Sequence, residues 1–243
     1  MLGPIPIQVW GLFVALGIIL ATLILYKRAK KFYTNPDQLL DLSIYFIVGG
    51  LVGARIFHIV FYELAFFIDN PIEIIKIWHG GMSSFGGFVG AGIGFLWFVK
   101  KNRINKEKFL SIADQLGFAS LYGWIVGRLG CASIHDHAGR LSNNFLAVKF
   151  PEGARFDMAI IEIIFLLPLA ILFLILHEKK LFPGFYLATI LVYYGFLRFV
   201  LDFFRAIDIS HADVRYVGLT PGQYFGIVMF GLGVWLFVKK SIK

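Results

Sequence analysis

Seven stretches of the chain are each about as long and apolar as the ~20 residues a helix needs to cross ~30 Å of hydrocarbon. They run roughly over 6–26, 40–62, 83–99, 109–127, 157–176, 184–204 and 221–238. In lipid every backbone amide must be satisfied within its own segment, so spans of this kind are helices. The expected fold is therefore all-α: a polytopic membrane bundle of about seven transmembrane helices, read as one membrane domain over 1–243. The composition agrees, because 58% of residues are apolar and only 16% are charged. A soluble fold of 243 residues would need a larger polar surface than that. The first run is long enough to span and no small-residue cleavage site follows it, so it reads as a span rather than a cleaved leader.

The net charge of +8 lies between the spans, which makes it a topology signal and speaks against nucleic acid as a partner. Loops 27–39, 100–108 and 177–183 with the tail 239–243 hold 14 Lys and Arg residues. Loops 63–82, 128–156 and 205–220 hold 7. The more basic set belongs in the cytoplasm. The N-terminus is then expected outside and the C-terminus inside, in a cytoplasmic (inner) membrane. Segment 128–156 is the longest and least apolar of the outer loops and reads as an outward-facing head between spans four and five.

Ionisable residues inside spans are costly and mark function or internal pairing. Arg55, Asp114, Arg128, Glu162, Arg198 and Asp202 are of this kind. For Arg55, Asp114 and Glu162, scaffold and site are equally open. Arg198 and Asp202 are four apart and share a helix face with Tyr194. Arg128 and Arg198 lie toward the outer side, where a guanidinium fork suits a phosphate. The run Gly80-Gly81-Met82-Ser83-Ser84-Phe85-Gly86-Gly87 reads as a tight entry to span three, with amides that could meet an anion. Gly90 and Gly94 read as helix-packing positions. Trp78 and Trp124 suit the interfacial aromatic belt.

These pieces, in this order, resemble the prolipoprotein diacylglyceryl transferases. The resemblance is carried by Leu2-Gly3-Pro4, Trp10-Gly11, Gly53-Ala54-Arg55-Ile56 and Trp78-His79-Gly80-Gly81-Met82-Ser83. It continues through Gly86-Gly87, Gly127-Arg128-Leu129-Gly130, Gly139-Arg140, Glu162, Tyr194-Gly195, Arg198, Asp202-Phe203-Phe204-Arg205 and Gly222-Gln223. It implies transfer of the diacylglyceryl group of phosphatidylglycerol to the lipobox cysteine thiol of a prolipoprotein, giving a thioether and releasing glycerol phosphate. The implied partners are phosphatidylglycerol, a prolipoprotein signal peptide and the lipid bilayer, with no cofactor. Arg128 and Arg198 match the essential arginines of the family, and Tyr194 and Asp202 match its conserved stripe, with Asp where Glu is usual.

Three positions depart from that pattern. Phe85 stands where the family usually has His, Cys131 follows Gly130 where Asn is usual, and Trp10 replaces a Tyr. Either His135 or His137, with Asp136 adjacent, replaces the missing base, or the chain acts on another phospholipid or acceptor, or it binds lipid without catalysis. An imidazole titrates near neutral pH and suits thiol deprotonation. The candidate catalytic set is Arg128, Arg198, His135, His137, Asp136, Tyr194 and Asp202. The candidate substrate-binding set is Gly80, Gly81, Ser83, Gly86, Gly87, Arg55, Gly139, Glu162 and Arg205. No metal is expected, since two histidines and one Asp fall short of a closed four-ligand site.

Overall fold

The computed structural model describes residues 9–32, 36–179, 181–209, 212–213 and 215–241. The Leu2-Gly3-Pro4 motif, His211 and the Phe85 side chain lie outside the described residues. The helices are α1 (Val9–Phe32), α2 (Pro36–Phe61), α3 (Leu64–Asp69), α4 (Ser84–Lys101), α5 (Lys106–Ile134), α6 (Met158–Leu176), α7 (Phe185–Leu201) and α8 (Pro221–Ser241). Three short strands, β1 (Ala138–Leu141), β2 (Ala147–Phe150) and β3 (Gly153–Asp157), lie between α5 and α6.

Among the described residues six helices are long and apolar enough to cross a membrane, one fewer than the seven stretches of the sequence. The stretch without a counterpart among them is 83–99, where α4 runs over 18 residues and ends on Lys100-Lys101. The protein is an all-α polytopic membrane protein with one small sheet.

The chain forms two compact units, Tyr26–Phe109 and Met1–Leu25 with Leu110–Lys243. In the first, α2 and α4 pack glycine against glycine. A Cβ built on Gly53 would lie 2.6 Å from the Gly90 Cα, so the two backbones touch along the seam. In the second, α7 and α8 meet the same way, with Gly195 and Gly226 each placing a built Cβ 2.7 Å from the other's carbonyl oxygen. Phe118, Leu166, Phe173, Tyr186 and Leu197 pack into its core.

The segment expected as a head begins later than its sequence boundary. Residues 128–134 continue α5, and the sheet itself runs from Ala138 to Asp157 in the order β1-β3-β2, all antiparallel. β3 runs directly into α6. Asp157 ends the strand and caps the helix, accepting from the backbone N–H of Ala159 at 2.9 Å and Ile160 at 3.3 Å. That junction fixes where α6 starts and, little more than one turn on, where Glu162 points.

Candidate active site

Glu162 is the centre of the intramembrane charge in the second unit. Its side chain is buried among donors from two neighbouring helices. Oε1 accepts from Arg128 Nε at 2.8 Å, Trp124 Nε1 at 2.9 Å and the Tyr194 hydroxyl at 3.1 Å. Oε2 lies 3.7 Å from Arg198 Nη1. Arg198 Nη2 in turn lies 3.2 Å from Asp202 Oδ1, the i, i+4 pair that the sequence spacing anticipates. Asp202 also accepts from the Thr220 hydroxyl. Two guanidinium groups and two carboxylates therefore balance each other away from water, which is the condition for holding four charges at this depth.

α5 supplies Trp124 and Arg128 one turn apart, so the indole N–H and the guanidinium reach the same carboxylate. Arg128 Cζ also sits 5.2 Å from the Trp124 ring centroid. Trp124 is thus part of the cluster, not of the interfacial belt the sequence suggested. α7 supplies Tyr194 and Arg198 in the same register. Gly222, at the start of α8, lies against the far side: a Cβ there would be 2.5 Å from Asp202 Oδ2 and 2.8 Å from Arg198 Nη2. Trp124, Thr220 and Gly222 were missed as site residues. Trp124 had a readable signal in its four-residue spacing to Arg128, and Gly222 in the Gly222-Gln223 motif.

The His135-Asp136-His137 segment divides. His135 adopts φ +51, a turn that reverses the chain at the end of α5. Its Nδ1 lies 2.6 Å from Asp157 Oδ2, the carboxylate that caps α6, and its ring meets Phe150 edge-on. His137 turns back toward α5. Its Nε2 lies 3.1 Å from Arg128 Nη1, and its Nδ1 is bonded to Asp136. A guanidinium only donates, so Nε2 accepts and Nδ1 carries the proton that Asp136 receives. The Cys131 Sγ lies 4.0 Å from the same Arg128 Nη1.

Other candidates are held in the frame around these groups. Gly139 lies in β1, where its carbonyl accepts from Arg155 Nη1 at 3.2 Å and its backbone bridges to Arg205. Arg205 Nε lies 2.5 Å from Asp213. Arg155, nearly fully buried, forks onto Asp208 at 2.8 and 2.7 Å, and that guanidinium holds the Asp208 carboxyl down at about 2. Asp114 accepts from the backbone N–H of Leu187 at 3.1 Å, which ties the start of α7 to α5.

In the first unit the glycine run is engaged internally. All five Arg55 donors face backbone carbonyls: Ile74 at 3.0 Å, Gly80 at 2.5 Å, Gly81 at 2.9 Å, Glu73 at 2.5 Å and Lys76 at 3.5 Å. The whole Arg55 fork is engaged by this loop. Gly81 has φ +73, and a Cβ there would lie 2.7 Å from His58 Nε2. The amides expected to meet an anion are likewise used, Gly86 N–H by the Ser83 hydroxyl at 3.3 Å and Gly87 N–H by the Ser83 carbonyl at 2.9 Å. Ser83 is the N-cap of α4. Beside this loop, Lys76 at 2.6 Å and His79 at 2.7 Å hold the Glu73 carboxyl below the usual carboxylate range.

Fold and site together define a multi-pass membrane protein built around a charge-balanced arginine–carboxylate cluster, with a histidine–aspartate pair at its rim. A family model of prolipoprotein diacylglyceryl transferases matches residues 1–239. The chain is 31% identical over 251 residues to the phosphatidylglycerol–prolipoprotein diacylglyceryl transferase of Francisella tularensis subsp. holarctica, covering 100% of this chain and 92% of the relative. The same figures hold for that of Francisella tularensis subsp. novicida. The chain belongs to the prolipoprotein diacylglyceryl transferase family and is a membrane transferase.

Proposed function

We propose that the protein transfers the diacylglyceryl group of phosphatidylglycerol to the lipobox cysteine thiol of a prolipoprotein. The sulfur bonds to the glycerol carbon that bears the phosphate, that carbon's C–O bond breaks, and glycerol phosphate leaves with the electron pair. The observation that carries this reading is the pairing of Arg128 and Arg198 across Glu162 in a chain of this family. Two preorganised guanidinium groups suit an oxyanion whose charge grows as the bond breaks. Glu162 holds both in place before the lipid arrives.

The thiolate, not the thiol, is the nucleophile, so a proton must be accepted nearby. His137 is the group we assign to this step. Asp136 keeps the proton on Nδ1, which leaves the Nε2 lone pair for a new partner once Arg128 turns from it to the phosphate. The proton then passes to the departing phosphate or to water. His135 acts as a positioning residue through Asp157 and the start of α6. Arg55, Gly80, Gly81, Ser83, Gly86 and Gly87 shape the loop that precedes α4, while Gly139 and Arg205 brace the sheet. The reaction faces outward from a cytoplasmic membrane, N-terminus outside and C-terminal tail inside, as the Lys-rich loops favour.

The test is transfer from labelled phosphatidylglycerol to a prolipoprotein in proteoliposomes. The purified chain should shift the precursor by one diacylglyceryl group, and Arg128→Ala should abolish the shift. A folded wild-type chain that lipidates no precursor would overturn the reading. Transfer from other phospholipids in the same assay would point to altered lipid choice.

A further inference from the structure

We propose that Cys131, Asp136 and His137 form a site for a thiophilic divalent cation such as zinc, whose occupation withdraws His137 from Arg128 and inhibits the transferase. The inference rests on the assignment of His137 to the transfer reaction. A sulfur of Cys131, a carboxylate oxygen of Asp136 and an imidazole nitrogen of His137 all lie within 4.8 Å of one another. The sequence alone counted only two histidines and an Asp, and of those histidines His135 is engaged elsewhere. The third ligand is the cysteine on the last turn of α5, which the turn at His135 brings against residues 136 and 137.

The donor set fits the ion. Zinc takes thiolate, imidazole and carboxylate at about 2.0–2.3 Å, and three protein ligands leave a fourth position for water. In a tetrahedral site those distances put neighbouring ligand atoms about 3.3–3.6 Å apart, so a separation at the 4.8 Å limit needs to close by about 1.5 Å at most. Asp136 is exposed and His137 half-buried, which gives the ion a path from water to the buried sulfur. One thiolate and one carboxylate balance a divalent charge. The neighbouring Arg128 is already matched by Glu162 at 2.8 Å. Binding forms a sulfur–metal bond and releases the Cys131 thiol proton to water.

Occupation is incompatible with the contacts His137 now makes. If Nε2 binds the ion, its lone pair no longer accepts from Arg128. If Nδ1 binds, Nε2 carries the proton and cannot accept at all. Either way His137 is lost to proton transfer while the metal stays.

The experiment uses the full chain in lipid nanodiscs and cobalt(II) as the probe. Binding should give the thiolate-to-cobalt absorption and the visible bands of a tetrahedral site, and zinc chloride should erase them. Loss of an outer partner of a metal ligand costs about 10–100-fold in affinity, so removal of a ligand itself should cost at least that. Cys131→Ser should therefore abolish the thiolate band and weaken binding at least about tenfold, and His137→Gln should weaken it similarly. In the transfer assay zinc should inhibit the wild-type chain, a chelator should restore it, and Cys131→Ser should transfer normally but resist zinc. Cobalt spectra without a thiolate band, or unchanged affinity in Cys131→Ser, overturn the site. Tight cobalt binding in a chain that transfers nothing overturns the reaction assignment and leaves the site standing. Transfer that ignores saturating zinc overturns the inhibition.

Discussion

Glu162→Gln removes one charge and almost no volume, so it isolates the electrostatic role of the cluster. In the parent, one oxygen accepts three donors at 2.8, 2.9 and 3.1 Å, and the other faces Arg198 at 3.7 Å. A glutamine carbonyl carries no formal charge, so the hydrogen bonds from Arg128, Trp124 and Tyr194 all lose their charge assistance. The amide nitrogen then points donor to donor at Arg198. Breaking a buried ion pair from one side costs about 3–5 kcal/mol, because the partner charge stays buried. Two guanidinium groups would here share the single remaining carboxylate of Asp202. For a chain of this size about 1 kcal/mol moves the melting temperature by about 2–4 °C, so a fall on the order of 10 °C is expected. The assay is intrinsic-fluorescence melting in nanodiscs, together with the double variant Arg128→Gln/Glu162→Gln. The double variant should recover part of the loss, since it removes the stranded charge as well, with a coupling of about 1–3 kcal/mol. A Glu162→Gln melting temperature within about 2 °C of the parent, or strict additivity in the double variant, would refute the claim that Glu162 holds the two arginines.

Trp124→Phe keeps the ring over Arg128 but deletes the indole N–H, and a hydrogen bond to a charged group contributes about 1.5–3 kcal/mol. It should lower the melting temperature by several degrees and reduce transfer, while Trp124→Leu should reduce both further. Gly222→Ala would put a methyl group 2.5 Å from Asp202 Oδ2, so transfer should fall at least about tenfold while helix content by circular dichroism stays unchanged. For Asp208 the folded carboxyl sits at about 2 and the unfolded one near 3.9, so its stabilising effect is fully present above about pH 4 and fades as pH falls toward 2. The protection of β3 amides, taken relative to the intrinsic exchange rate at each pH, should therefore stay high at pH 5 and fall below pH 4, and in Asp208→Asn that acid step should vanish.

Hydropathy determined the class of this protein before any contact was known. Lipid leaves helices as the one way to satisfy the backbone of such runs, and it makes every ionisable residue within them conspicuous. The sequence therefore yielded Arg128, Glu162, Arg198 and Asp202 together with Arg55 and Asp114, and the four-residue spacing yielded the Arg198–Asp202 pair. It could not say which arginine faced which carboxylate, because that depends on how α5, α6 and α7 are placed around one another. The strand-to-helix junction at Asp157 settles it by fixing the start of α6, and Glu162, equally open between scaffold and site, becomes the hub. The same limit explains Arg55. As a sequence symbol it was a buried cation seeking an anion, and only the folded loop supplies the carbonyls of residues 73–81 that satisfy it. The tertiary structure also separates His135 from His137. Two residues apart in the chain, they are sent to different carboxylates by one left-handed turn, a backbone choice that residue identity at position 135 does not announce.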